Sequence, residues 1–195
     1  MKNLIYILLY FPFVLVGQNT FEELIYNTSL NDGVIQCYPF NGNANDISDN
    51  NLDGELINVE LTTNRNGSPN SAYNFDFSHT TFGGQGDEIF IPYDPIMNTQ
   101  FLTVSVWLKP FQYDWPSNPG SSTIIGRSQY GYSIPNGEHW NITFGENFLR
   151  VGISTSTYGV GSSVIHNSSL PLNEWSHVVF SYNQEQLNLY LIKRN

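Results

Sequence analysis

The side chains able to do chemistry in this chain are its carboxylates, four histidines and a single thiol. Their spacing decides what chemistry is open to them. Glycoside hydrolysis needs two carboxylates a few ångströms apart, one of them kept protonated. On a strand, two acids share a face only at i and i+2 or i and i+4. Glu88, Glu138, Glu146, Glu174 and Glu185 are instead scattered, mostly in predicted turns, and no strand carries a Glu-x-Asp-x-x-Glu run. His79, His139, His166 and His177 are far apart, and none has zinc-ligand spacing. His177, close to Trp175 in a predicted strand, reads as a packed or hydrogen-bonded structural residue. No Gly-x-Ser-x-Gly elbow occurs, and Gly159-Val160-Gly161 is too weak and wrongly placed for a phosphate loop. Cys37 is the one cysteine, which excludes an intramolecular disulfide and a thiolate metal cluster. It sits in the apolar run Val34-Ile35-Gln36-Cys37-Tyr38 and reads as a small core residue. No catalytic residue emerges from spacing; acids brought together from separate strands are the one remaining route to hydrolysis.

The densest set of short side-chain oxygens is Phe40-Asn41-Gly42-Asn43-Ala44-Asn45-Asp46-Ile47-Ser48-Asp49-Asn50-Asn51-Leu52-Asp53-Gly54. Calcium takes roughly six to eight oxygens from carboxylates, amides and backbone. The stretch lacks the glutamate that closes an EF-hand loop. A plain Asx-rich connection between strands has the same composition, so the residues alone leave both readings open.

The elements that must position these residues are strands. In residues 102–109, Leu102, Val104, Val106 and Leu108 alternate with Thr103, Ser105, Trp107 and Lys109. Period two puts the aliphatic set on one face, and Pro110 ends the run. Residues 175–182 alternate similarly, with Val178, Phe180 and Tyr182 on one face. Residues 186–192 follow the polar turn Asn183-Gln184-Glu185, which predicts a hairpin. Residues 140–144 and 148–153 flank Gly145-Glu146-Asn147, a second hairpin signal. Further strands are expected at 33–40, 55–59, 72–75, 88–91 and 123–127, and residues 113–122 read as a longer surface loop. No helical period survives past Asn31. About ten short strands joined by polar turns imply two packed antiparallel sheets. A charged fraction of 12% beside 15% aromatics suits that architecture.

Seventeen acids against seven bases give a net charge of −10. Such a chain repels phosphate backbones, so nucleic acid is not an expected partner, nor is a direct grip on anionic lipid. Residues 1–17 read as a signal peptide: Lys2 supplies the positive end, residues 4–16 are uncharged and almost wholly apolar, and Gly17 is small enough for cleavage. The run is too short for a comfortable membrane span. No second one follows, so the mature chain is expected to be secreted or at the cell surface without membrane insertion. Residues 18–32 read as a linker or short helix.

Four stretches, in order, carry a family resemblance. The run Val34-Ile35-Gln36-Cys37-Tyr38-Pro39-Phe40-Asn41-Gly42-Asn43-Ala44-Asn45-Asp46-Ile47-Ser48 resembles the opening signature of laminin-G-like, concanavalin A-like domains of secreted bacterial proteins. Asn70-Ser71-Ala72-Tyr73-Asn74-Phe75-Asp76 looks like the family's small-aromatic-Phe-Asp strand. Thr103-Val104-Ser105-Val106-Trp107-Leu108-Lys109-Pro110 resembles its central Thr-x-Ser-x-Trp-x-Lys strand, and Asn173-Glu174-Trp175-Ser176-His177-Val178-Val179 its Trp-x-His-Val strand. The resemblance covers residues 33–192. It implies an all-β, two-sheet antiparallel jelly-roll sandwich over residues 33–195. It also implies binding of glycans or proteins, often with one calcium ion at a loop rim. In this superfamily the calcium site often joins the loop after the first strand to an aspartate from the last strand. The loop half matches Asp46, with Asp49, Asn51 and Asp53 as its neighbours.

Two departures alter what the resemblance implies. The connection from Phe75 to Pro92 is longer than the family's, with His79-Thr80-Thr81-Phe82-Gly83-Gly84-Gln85-Gly86 inserted. The chain also stops at Lys193-Arg194-Asn195, where the family continues into a turn and a final Asp-containing strand. The sandwich is therefore expected to lack its C-terminal strands and to leave residues 33–40 with an open edge. That edge would suit a strand-completing partner, or the chain would be a truncated fragment without a ligand of its own. Sugar sites combine flat aromatic rings with planar polar groups. Trp115 in the Pro/Ser/Asn/Gly loop, with Tyr130 and Tyr132, forms the expected ligand-binding rim, and Trp107 is expected to pack. The resulting expectation is a secreted, non-catalytic, lectin-like module for a glycan or surface protein, assisted by calcium. A sandwich-fold glycoside hydrolase and a ligandless fragment are the alternatives.

Overall fold

The computed structural model describes residues 33–75, 86–99, 101–113, 122–127, 139–154 and 161–193. Residues 1–32, expected as signal peptide and linker, and Trp115, Tyr130 and Tyr132 lie outside these segments. Among the described residues every strand pairing is antiparallel, and the one helical turn is a short 3-10 segment, Pro95–Met97. The chain divides after Met97 into two compact units.

The described residues of the N-terminal unit carry four short strands. Strand β1 (Glu55–Ile57) pairs with β4 (Glu88–Phe90), and β2 (Glu60–Thr62) pairs with β3 (Ala72–Asn74). Ile35, Cys37, Tyr38, Ala44 and Ala72 are its buried hydrophobic residues. Cys37, 1% exposed, packs as the small core residue expected of it. Gly54 is required by close approach: a Cβ there would stand 2.6 Å from Ile89 Cγ2 and 3.2 Å from Ala44 Cβ.

Residues 33–40, expected as a strand, form no ladder. Their backbone groups are taken by the loop that follows. Cys37 N–H donates to the Asp46 carboxylate, Cys37 O accepts from Ile47 N–H, and Ile35 O accepts from the Ser48 hydroxyl and the Asn50 amide. Residues 35–39 are buried without a break, so the segment lies extended against a loop rather than against a neighbouring strand and shows no period-two burial.

The C-terminal unit is an antiparallel β-sandwich of two sheets. One sheet has the order β11-β10-β5, from Leu187–Lys193, Ser176–Tyr182 and Leu102–Leu108. The other has the order β6-β7-β8-β9, from Ser122–Arg127, His139–Gly145, Phe148–Ser154 and Gly161–His166. Both predicted hairpins form, β7-β8 around Glu146-Asn147 and β10-β11 around residues 183–186. In the second turn Asn183 Oδ1 accepts the backbone N–H groups of Glu185 and Gln186, at 3.1 and 2.7 Å. This is the local bonding that makes asparagine a turn residue. Asn51, Asn58, Asn70 and Asn173 adopt positive φ, so part of the chain's asparagine content serves left-handed turn positions.

Leu102, Val104, Val106, Val178 and Phe180 face inward from the first sheet, and Ile142, Phe144, Leu149, Val151 and Ile153 from the second. Trp140 and Phe180 join the two layers with ring centroids 5.4 Å apart. Each fully buried aliphatic or phenyl side chain contributes about 1.5–3 kcal/mol, so this alternating set holds the sheets together. Two strands escaped sequence reading, β2 and β9. In β9 the adjacent Ile165 and His166 are both exposed and Val164 is half-buried, so no hydrophobic period marks the strand.

Candidate functional site

The two clearest family-like stretches of the C-terminal unit turn out to be one structure. Strands β5 and β10 are aligned so that Trp107 lies opposite His177 and Ser105 opposite Val179. The Trp107 and His177 rings stack at 4.8 Å with planes only 5° apart. His177 Nε2 shares a 2.7 Å hydrogen bond with the Ser105 hydroxyl. Beyond the end of the ladder, Lys109 Nζ sits 5.6 Å from the Trp175 ring centroid. Ser105, Trp107 and His177 are all buried. The Ser-x-Trp-x-Lys residues of one strand therefore grip the Trp-x-His residues of its neighbour. Aromatic pairs of this kind are worth about 0.5–1.5 kcal/mol beyond their area. The Ser105–His177 pair is buried between the two strands, where His177 is packed and hydrogen-bonded.

The same register places nine side chains on the outer face of this sheet, away from the sandwich core. They form three rows running from β5 to β11: Thr103, Ser181 and Asn188; Ser105, Val179 and Tyr190; Trp107, His177 and Ile192. Exposure rises across the rows. The β5 side is buried at Ser105 and Trp107, whereas Tyr190 and Ile192 on β11 are 53% and 54% exposed. Asn188 and Ser181 beside them are half-buried. Neighbours two apart on β11 stand roughly 7 Å apart along the strand, so Tyr190 and Asn188 span about one sugar ring. Sequence reasoning missed Tyr190 and Asn188. The signal was present in Leu187-Asn188-Leu189-Tyr190-Leu191-Ile192, whose alternation puts the leucines inward and the other three residues outward.

The Asx-rich loop of the N-terminal unit has a different geometry. Asp46 is 5% exposed. Its Oδ1 accepts from Cys37 N–H at 2.8 Å and Ser48 N–H at 2.9 Å. Its Oδ2 accepts from the Ser48 hydroxyl at 2.7 Å and Leu52 N–H at 3.0 Å. Asp53 Oδ1 in turn accepts Asp46 N–H at 2.8 Å. Asp49, Asn51 and Asp53 are exposed, and the Asn51 amide donates to Asp49 O. Among the described residues no three of His, Cys, Asp and Glu are grouped to hold a metal ion. Of the four residues expected as calcium ligands, Asp46 already accepts protein donors at both oxygens, while Asp49, Asn51 and Asp53 are exposed around it.

Aromatic rings brace this loop. The Tyr38 hydroxyl donates to Leu52 O at 2.6 Å. Burial first, then the charges of Asp46, Asp53 and Cys37, push the Tyr38 phenol well above its ordinary pKa. Phe40 holds φ at +56°, a left-handed conformation that costs a side-chain-bearing residue about 1–2 kcal/mol. Contacts to Tyr73, edge-on at 5.2 Å, and to Tyr38, stacked at 6.1 Å, offset that cost.

Glu146 and Glu185 sit at hairpin turns, Glu174 just before β10 and Glu88 on β4, all exposed, while Glu138 lies outside the described residues.

Comparison with known proteins bears on this arrangement. A family model described as the concanavalin A-like lectin/glucanases superfamily matches residues 82–191. The match contains the interlocked β5 and β10 stretches, while the runs at 34–48 and 70–76 lie before it. No curated protein and no solved structure matches the chain.

Proposed function

The chain belongs to the concanavalin A-like lectin/glucanase superfamily, and from that premise we propose that it is an exported, non-catalytic binding module for a neutral glycan, free or carried on a surface protein. The observation that carries this reading is the outer face of the β11-β10-β5 sheet, where exposed Tyr190 stands beside Asn188 and Ser181. A sugar ring has a C–H face that packs on a flat aromatic ring and a hydroxyl rim that needs amide and hydroxyl partners. Tyr190 provides the first, and Asn188 and Ser181 the second. The net charge of −10 favours neutral glycans over sialylated or sulfated ones. The exposure of Glu146, Glu174 and Glu185 on turns supports binding over hydrolysis. Lys2 and the apolar residues 4–16 support export, and among the described residues no helix is long and apolar enough to cross a membrane.

A glycan array followed by calorimetry on the best ligand tests the proposal. Tyr190→Ala is expected to weaken binding about tenfold, equivalent to ~1.4 kcal/mol, with an unchanged melting temperature. A wild-type protein that binds no glycan, or one whose binding ignores Tyr190→Ala, refutes it.

A further inference from the structure

We propose that Asp46 is a metal-free carboxylate clamp, taking the place of the calcium ion that the loop's composition and family resemblance suggest. The argument rests on the direction of the hydrogen bonds. A calcium site gathers oxygens from several residues around one cation. Here four donors from three residues gather around one carboxylate, Cys37 N–H and Ser48 N–H on Oδ1, Ser48 Oγ–H and Leu52 N–H on Oδ2. The positive ends of these dipoles point to where a cation would sit, so an ion at either oxygen would displace bonds already made.

The clamp has a defined structural task. Residues 33–40 have no strand ladder and still bury Ile35, Gln36, Cys37 and Tyr38. Buried backbone groups must find partners. Asp46 ties Cys37 to the loop across nine residues, and Ser48, held by Asp46 through its backbone N–H, sets its hydroxyl between Asp46 Oδ2 and Ile35 O, which share its one proton. Asp53 holds Asp46 N–H, and the next residue, Gly54, donates its N–H to Ala44 O at 2.9 Å. Residues 41–54 are thereby closed onto the segment before them by fixed protein charges and dipoles. A charge-assisted hydrogen bond is roughly twice as strong as a neutral one, which suits a single carboxylate to this task.

Thermal melting of the full chain in millimolar calcium chloride and in EDTA tests the clamp. The two midpoints are expected to agree within about 1 °C. Asp46→Asn keeps the shape but turns one acceptor oxygen into an amide donor facing Leu52 N–H. It is expected to lower the midpoint by roughly 10 °C or to prevent folding. Asp49→Asn alters an exposed carboxylate and is expected to leave the midpoint unchanged in either buffer. A rise of several degrees in calcium that Asp49→Asn abolishes would overturn the clamp, because a bound ion stabilises by mass action. So would an Asp46→Asn protein that melts with the wild type.

Discussion

The loop at residues 41–54 and the outer face of the β11-β10-β5 sheet are both polar, yet they use polarity in opposite ways. In the loop, carboxylate, hydroxyl and amide groups are turned on the chain's own backbone, and Asp46 accepts bonds at both oxygens. On the sheet, Tyr190 and Ile192 stand more than half exposed beside Asn188 and Ser181. Composition suggested the reverse, since the loop resembles a ligand site and β11 resembles an ordinary amphipathic strand. What separates them is whether the polar groups already have partners. Satisfied groups hold a fold, whereas groups on an exposed face keep their capacity for a ligand.

The sheet shows the same division within itself, from the buried β5 side to the open β11 side, and that gradient can be tested at its buried end. Trp107→Ala removes a stacked indole that is 9% exposed and strips His177 of its ring partner. Loss of a large buried aromatic costs about 3–5 kcal/mol, and urea denaturation should read a change of that size. A loss below about 1 kcal/mol would mean that the Trp107–His177 stack is not structural and would remove the distinction between the two sides.

Tyr38 probes the satisfied loop through pH. Its hydroxyl donates to Leu52 O, and burial, followed by the charges of Asp46, Asp53 and Cys37, holds its pKa above the ordinary value. In the unfolded chain the phenol ionises near pH 10. The folded state keeps a proton that the unfolded state releases, so the contribution is fully present below about pH 10 and declines above it. The decline is about 1.4 kcal/mol per pH unit while the two states differ by one proton. Tyr38→Phe should cost about 1 kcal/mol at neutral pH through the lost hydrogen bond, and should lose less stability than the wild type between pH 10 and 11. Equal alkaline losses in the two proteins would show that Tyr38 titrates freely.

Much of the C-terminal unit was legible because it obeys period two. The β10-β11 and β7-β8 hairpins, the inward Leu102, Val104 and Val106, and the structural roles of His177 and Trp107 all follow from alternation and turn chemistry. The remaining features depend on properties that alternation does not encode. Residues 33–40 form an apolar run, but whether a strand or a loop lies beside them is decided by residues 46–50, through Asp46, Ser48 and Asn50. Asp46 has the same side chain in a clamp as in a calcium site, and only the direction of its neighbours' dipoles separates the two. Tyr190 was readable as facing away from Leu189 and Leu191, but its exposure depends on where burial stops across the sheet.

The smallest expected effect is the sharpest test of the open side. Ile192 is 54% exposed and shares its face with Tyr190, two residues away on β11 and directly opposite buried His177. If the β11 side of the outer face is open, Ile192→Ser exchanges an apolar surface residue for a polar one and should change stability by no more than about 0.5 kcal/mol. The leucines on the other face of β11 remain in place, so the hairpin keeps its packing. Affinity for the ligand selected on the array should then fall less than with Tyr190→Ala, since Ile192 offers neither a flat ring nor a hydrogen-bonding group. A stability loss above about 2 kcal/mol would instead mark Ile192 as packed. Tyr190, in the adjacent row, would then belong to the buried side of the sheet with Trp107, and the contrast between the satisfied loop and the presenting face would fail.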